Sequence, residues 1–375
     1  MFRVRPRRPA SDPGLGVECF GAFPANCADG FDAAVSRYQY RDETMRILVT
    51  GGTGFTGAAL VARLASEGHE VVSLDYQAGL RDAELEAAGA RLVRGSITDA
   101  DVVDECVKGV DVVHHVAAAF REYGESESHY HDVNVGGTRI VLEAAVRHGV
   151  RRFVNCGTCG VHGDVEHPPA DEDAPITPAD YYQRLKYEAE QLVTEFSERH
   201  GLSAVTLRPA GIYGPGDPGR VLMIFKAVSK GVFPMFGSGD ALYHTTYIDN
   251  LVDAFLLAQD SQISGGRPYL IGDDRYFTIE QLVRRVADAL GVEVRIPHLP
   301  IGPLLLAGHV VEKACRPFGV APPIFPRRVD WFRQNRAFDI SRAREELGYE
   351  PRIGLDEGLR RAAEWYRAHG FLAPA

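Results

Sequence analysis

The run TGGTGFTG at residues 50–57 restricts the possible folds of this chain more than any other stretch. It follows a short apolar run, RILVT, and leads into AALVARLASEG, where apolar residues recur at helical spacing and Gly68 supplies a stop. Gly51, Gly54 and Gly57 let a backbone turn tightly and come close to a pyrophosphate. The helix that follows then offers N–H groups and the positive end of its dipole to the phosphates. The next apolar run, HEVVSLD, ends at Asp75, 24 residues after Gly51. A carboxylate there accepts both ribose hydroxyls of an adenosine and repels a 2′-phosphate, which favours NAD over NADP. Arg81 and Arg94 follow closely enough to meet a phosphate and weigh the other way.

Beyond this turn the pattern is regular. RLVRG, DVVHHVA, RRFVNCG and SAVTLRP read as further strands, and TRIVLEAAVRHG and YYQRLKYEAEQLVTEFSERHG as helices between them. Strands alternating with helices predict an α/β fold, a doubly wound parallel sheet of the Rossmann type covered on both faces. After Pro209 the regularity breaks at GIYGPGDPG, and later stretches such as RIPHLPIGP and VAPPIFP are rich in proline. The expected organisation is an NAD-binding domain over residues 45–214. A smaller substrate-binding lobe follows over 215–375, with segments returning to the first. Residues 1–44 read differently: the opening MFRVRPRRPA is basic, yet no apolar run follows as a signal peptide requires, and Asp12, Glu18 and Asp29 argue against a transit peptide. This stretch is expected to be a disordered extension, or to arise from a start codon placed too far upstream.

Composition removes other classes. The 375 residues are 45% hydrophobic and 25% charged, the balance of a soluble globular protein. Forty-one basic against 51 acidic residues give a net charge of −10, the wrong sign for a non-specific nucleic-acid binder. Six irregularly spaced cysteines are too few for a disulfide scaffold and point to a reducing, cytoplasmic setting. No apolar run approaches the roughly eighteen residues that cross a bilayer. The richest, LLLA at residues 304–307, is flanked by Pro300, Pro303, Gly308 and His309.

In YYQRLKYEAE, Tyr182 and Lys186 stand four apart and share one helix face. A tyrosine with a free pKa of about 10 is a poor acid or base at neutral pH. A nearby ammonium and a positively charged nicotinamide both favour tyrosinate, so such a pair can move a proton while a cofactor moves a hydride. Tyr181 and Tyr187 compete for the same role. Cys156 and Cys159 form a CxxC, but on a strand end rather than at the helix start that a redox pair needs. His114 and His115 lack metal-ligand spacing and read as satisfied strand residues, and no metal site is expected.

TGGTGFTG, HHVAA, the Tyr182–Lys186 pair and LRPAGIYGPGD occur in the order and spacing of the extended short-chain dehydrogenase/reductases, the NAD-dependent epimerase/dehydratase superfamily. From Arg46 onward the chain resembles that family. The resemblance implies that Tyr182 is the acid/base and that Lys186 holds the nicotinamide ribose and tunes the tyrosine. It implies that the hydroxyl polarising the reacting oxygen belongs to Thr158, four residues before His162, which stands where the family usually keeps the tyrosine of VYG. It further places Gly51, Thr53, Gly54, Phe55, Thr56 and Gly57 around the pyrophosphate, with Asp75 at the ribose and Pro209 also at the cofactor. Ala117 and Ala118 in HHVAA would line the cofactor beside the fourth strand. Ser96 and Ile97, in GSITD, would lie by the adenine, although Ser96 replaces the first aspartate of the usual GDxxD. Asn134 in NVGGT resembles the family's helix asparagine, with a structural role. A homodimer is implied as well.

Nucleotide-sugar epimerases and dehydratases share these motifs but tend to carry an arginine four residues before the tyrosine of YVDD, where it pairs with a diphosphate. Here Tyr247 fits the motif and the earlier position is Tyr243. YIDN and the ending RAFDISRAREELGYEP resemble the 3β-hydroxysteroid and sterol dehydrogenase branch. The apolar stretch LPIGPLLLAGHVVEKACRPFGV reads either as the wall of a hydrophobic pocket or as a helix packed on the lobe. The expectation is an NAD-dependent oxidoreductase that interconverts a secondary alcohol and a ketone on a hydrophobic, steroid- or terpenoid-like small molecule. A nucleotide-sugar epimerase or dehydratase and a dihydroflavonol-reductase-like ketoreductase are the alternatives. A non-catalytic dinucleotide sensor is disfavoured because the Tyr/Lys pair is retained.

Overall fold

Seven parallel strands form the central sheet: β1 (Arg46–Thr50), β2 (Glu70–Asp75), β3 (Arg91–Arg94), β4 (Val112–His115), β5 (Arg152–Cys156), β6 (Ala204–Pro209) and, far along the chain, β10 (Arg267–Ile271). Their spatial order is β10-β6-β5-β4-β1-β2-β3, and every pairing is parallel. The computed structural model describes residues 44–120, 126–217, 219–315 and 329–373. The extension read at residues 1–44 therefore lies outside the described residues except for Thr44. From Thr44 onward the chain forms one compact unit.

The helices are α1 (Phe55–Ser66), α2 (Asp82–Ala87), α3 (Ala100–Val107), α4 (Glu127–His131), α5 (Thr138–Arg147), α6 (Tyr181–His200), α7 (Arg220–Val228), α8 (Ile248–Asp260), α9 (Ile279–Leu290), α10 (Ile301–Cys315), α11 (Ser341–Leu347) and α12 (Leu355–Ala368). Successive strand side chains point to opposite faces, so each central strand serves two cores. Ile47 and Val49 pack with Leu60 and Leu64 of α1 and Phe255 of α8. Leu48, between them, packs with Val107 of α3, Leu142 of α5 and Val193 of α6 on the other face. This double burial explains why apolar residues stand next to one another in β1 (ILV), β4 (VV) and β5 (FV) rather than alternating with polar ones.

A third cluster lies beyond Pro209. Here β7 (Gly211–Tyr213) pairs parallel with β9 (Leu242–Tyr247), and β9 pairs antiparallel with β11 (Tyr276–Thr278). Tyr213, Phe225, Tyr247, Val283, Leu359 and Tyr366 bring α7, α9 and α12 together with this small sheet. Two further short strands, β8 (Met235–Phe236) and β12 (His298–Leu299), pair with each other. The chain returns to the large sheet twice from this region, first through α8 against α1 with β10 beside β6, and again through α11, whose Ala343 and Leu347 join the same core. None of the described helices is long and apolar enough to cross a membrane.

Candidate active site

All the residues assigned above to cofactor and catalysis meet in one cleft of about 790 Å³ at the carboxyl ends of the strands. That is where ligands bind in open α/β sheets. Gly51 turns with a positive φ of 67°. A Cβ there would lie 2.7 Å from the Ala117 Cα, and one on Gly57 would lie 2.0 Å from the Gly51 carbonyl oxygen. The turn is closed by glycines because no side chain fits between these backbones. Helix α1 begins at Phe55, earlier than its apolar periodicity indicated. Gly54 is its N-cap, and no side-chain cap covers the helix start. The exposed helix start and glycine cradle therefore fit a pyrophosphate.

Asp75, the last residue of β2, is held from two sides. Its carboxylate accepts from the Thr53 and Gln77 N–H groups, each at 3.2 Å. Thr53 Oγ1 donates to the Gln77 carbonyl at 3.0 Å, tying the glycine turn to this strand end. Two bonds leave the carboxylate further lone pairs for ribose hydroxyls. Of the two arginines that weighed toward NADP, Arg81 donates to Glu84 at 2.8 Å, while Arg94 pairs with Asp82 and donates to the carbonyl of cleft-lining Gln77 at 2.7 Å. Ser96 and Ile97 also line the cleft. The Ser96 hydroxyl accepts from the Thr98 N–H at 3.1 Å, and Ile97 packs against Gly137.

The fourth wall is built by a network that sequence spacing did not reveal. Residues Asp132–Gly137 form a π-turn between α4 and α5, a form often found at functional sites. From it, buried Asn134 brackets Ala119, accepting from its N–H at 3.0 Å and donating to its carbonyl at 3.1 Å. His115 lies between the hydroxyls of Thr50 and Thr138, at 2.9 Å from each. Burial pushes this imidazole down to about 3, so it stays neutral. His114 bonds Gln259 at 2.8 Å and is likewise pushed down by burial, to about 4. Both histidines are structural; His115 reaches the Ala117 edge of the cleft through Thr50, whose Oγ1 accepts from the Ala117 N–H at 3.3 Å, and Asn134 fixes the adjoining Ala119.

Tyr182, Lys186 and Thr158 line the same cleft, whereas Tyr181 and Tyr187 do not. The Tyr181 hydroxyl instead donates to the Glu127 carbonyl at 3.0 Å. Helix α6 is set firmly at its start, where the Asp180 side chain accepts from the Gln183 N–H at 2.9 Å. Such an N-cap contributes about 1 kcal/mol. The helix ends at Gly201, left-handed with φ 69°. Tyr182 is half-buried, its ring 4.7 Å from that of Phe120. Lys186 is buried, which pushes its ammonium down, while Cys156 and Glu190 act in the opposite sense. Thr158 follows β5 in an extended conformation, and its Oγ1 accepts from the Gly160 N–H at 3.1 Å. Cys156 and Cys159 are free buried thiols at this edge.

Three features of the site escaped sequence reasoning. Phe120 packs against the candidate tyrosine with its ring tilted by 47°. Arg336 lines the substrate end, joined to Tyr243 by a β-bridge across 93 residues of chain. The third is a buried group around Arg208, whose guanidinium holds Glu190 and His162. Conversely, none of α10 lines the cleft. Over Ile301–Cys315 the apolar stretch weighed as a pocket wall forms a helix with Leu306 67% and Val310 59% exposed. Its continuation over residues 316–328 lies outside the described residues.

The sequence profile of the NAD dependent epimerase/dehydratase family matches residues 47–272, and the chain belongs to that family. Its cofactor is therefore NAD, and the glycine cradle and Asp75 described above fit it. The 3 beta-hydroxysteroid dehydrogenase/Delta 5-->4-isomerase of Mycobacterium tuberculosis is 33% identical, over 86% of this chain and 91% of that protein. The 2-alkyl-3-oxoalkanoate reductase of Stenotrophomonas maltophilia is 31% identical, over 84% of this chain and 98% of that protein. Among solved structures, the dTDP-glucose 4,6-dehydratase DesIV of Streptomyces venezuelae, with NAD bound, aligns with a TM-score of 0.70. It is 26% identical and covers 88% of this chain and 99% of its own. The protein is an oxidoreductase.

Proposed function

We propose that the protein interconverts a secondary alcohol and a ketone on a hydrophobic small molecule, with Tyr182 as the acid/base. The observation that carries this reading is the convergence of Tyr182, Lys186 and Thr158 on the cleft that holds the glycine cradle, with Tyr181 and Tyr187 left outside it. In the oxidative direction the Thr158 hydroxyl holds the substrate oxygen and the tyrosinate of Tyr182 takes its proton. The Lys186 ammonium stabilises the tyrosinate. NAD would be held by the glycine cradle and Asp75 and would supply the acceptor for the hydride that leaves the carbinol carbon.

Support for the substrate class comes from Tyr243 and from the relatives. Tyr243 is buried, and its hydroxyl lies so close to Gly211 that a Cβ there would meet it at 2.3 Å. It therefore gives the substrate end an aromatic wall where sugar-nucleotide enzymes tend to keep a guanidinium. The two curated relatives described above are named for a 3β-hydroxysteroid and for a 2-alkyl-3-oxoalkanoate, both hydrophobic molecules bearing a secondary alcohol or ketone. The test is NADH fluorescence with a panel of 3β-hydroxysteroids, terpenoid alcohols and 2-alkyl-3-hydroxyalkanoates.

One observation favours a second reading. Arg336 places a guanidinium-bearing residue beside Tyr243 in the cleft, and a guanidinium suits a diphosphate. A nucleotide-sugar epimerase or dehydratase would use the same tyrosine and lysine without net release of NADH. Calorimetry with UDP- and dTDP-sugars separates the two: the first reading expects no micromolar binding.

A further inference from the structure

Tyr182, Lys186 and Glu190 are spaced four apart on α6, so they form one row along a single helix face. Only the first two belong to the reaction as read above. Glu190 is buried, and its carboxylate is gripped by the Arg208 guanidinium on β6, with Nε donating at 3.0 Å and Nη2 at 2.5 Å. Arg208 is fixed from its other side. Its Nη1 donates to His162 Nε2 at 3.0 Å, and His162 Nδ1 in turn donates to the Pro175 carbonyl at 3.2 Å. Burial and Arg208 push His162 down to about 4, so it remains the neutral acceptor this arrangement needs.

A buried ion pair is seldom a net gain for stability. This one stands one helical turn from a buried lysine whose charge the proposed chemistry requires. The ionisable groups facing Lys186 are Cys156 from β5, His115 from β4, and Glu190 and Tyr182 from α6 itself. His115 is neutral, and burial pushes the Cys156 thiol up, so it too is uncharged. That leaves Glu190, ion-paired with Arg208, as the carboxylate acting on Lys186 in this set. We propose that Glu190 is a positioning residue which, anchored by Arg208, keeps the Lys186 side chain a charged ammonium facing Tyr182. The proposal rests on the reading of Tyr182 and Lys186 as the proton-handling pair.

The test needs no substrate. Tyrosinate absorbance is titrated against pH in the full-length protein saturated with NAD, and the titration of the Tyr182→Phe variant is subtracted to isolate Tyr182. Glu190→Gln lets Lys186 lose its proton, so the Tyr182 midpoint rises by about one pH unit. Because Glu190→Gln strands the Arg208 charge, the double variant Glu190→Gln/Arg208→Met is titrated beside it and shows a rise in the same direction, smaller because the opposing Arg208 charge goes with it. His162→Phe disturbs the same network yet leaves the Glu190 charge, and keeps the midpoint of the unmodified protein. The proposal is overturned by an unmoved midpoint in both Glu190 variants, or by an equal rise in His162→Phe, which would mark a packing effect. If subtracting Tyr182→Phe reveals only an ordinary tyrosine, the reading of Tyr182 fails and the proposal falls with it.

Discussion

Asp75 shows how far a single residue can be read. Its distance from Gly51 and its place at the end of a strand were legible because both belong to one continuous βαβ segment. The structure adds that Thr53 and Gln77 N–H groups aim the carboxylate. Asp75→Ala should therefore raise the dissociation constant for NAD about tenfold, a loss of about 1.4 kcal/mol, and relax discrimination against NADP. Side-by-side titrations of the two cofactors check this, and equal affinities in the unmodified protein would contradict it. Arg336 shows the opposite case. It reaches the cleft through a bridge to Tyr243, and no local spacing encodes a neighbour 93 residues away. The same holds for Arg208, which is 46 residues from its partner His162.

At the scale of elements, the strands and long helices were legible because burial on two faces writes adjacent apolar residues into β1, β4 and β5. The π-turn at Asp132–Gly137 was not, since its sequence, DVNVGG, has no periodicity to distinguish it from a helix start. Its work is done by Asn134, whose side chain replaces a backbone partner for both polar groups of Ala119. Asn134→Ala leaves those buried groups unpaired, a cost of about 2 kcal/mol for each. The variant should melt at a lower temperature and bind NAD at least several-fold more weakly, because Ala117 and Ala118 lie on the same loop. Calorimetric melting with and without NAD checks both. An unchanged NAD affinity would separate Asn134 from the cofactor wall.

Among the described residues four histidines are buried: burial pushes His114, His115 and His162 down to about 4, about 3 and about 4, and pushes His244 down as well. Above about pH 6.5 they are neutral in both the folded and unfolded chain. As pH falls below that, the unfolded chain takes up protons that the fold refuses, so stability is lost from about pH 6.5 towards 4, by up to about 1.4 kcal/mol per pH unit for each histidine. Glu172, Asp249 and Asp273, raised by burial, act in the opposite sense above their free values and offset part of that loss. Melting temperatures between about pH 7.5 and 5 should therefore fall steadily, and a flat profile would contradict the neutral assignments. The sheet also depends on chain far from its own motifs. With β10 closing β6, and α8 covering β1, a fragment of residues 45–214 exposes both faces of that contact and should not fold alone. Circular dichroism of the fragment checks this. The central claim is that Tyr182 moves a substrate proton while NAD is reduced, and NADH release from a 3β-hydroxysteroid or 2-alkyl-3-hydroxyalkanoate tests it most directly. Net NADH should accumulate with the unmodified protein and fall at least a hundredfold in Tyr182→Phe, on the order of one acid/base contribution. Turnover of a nucleotide sugar with no net NADH, or an undiminished rate in Tyr182→Phe, would contradict the account.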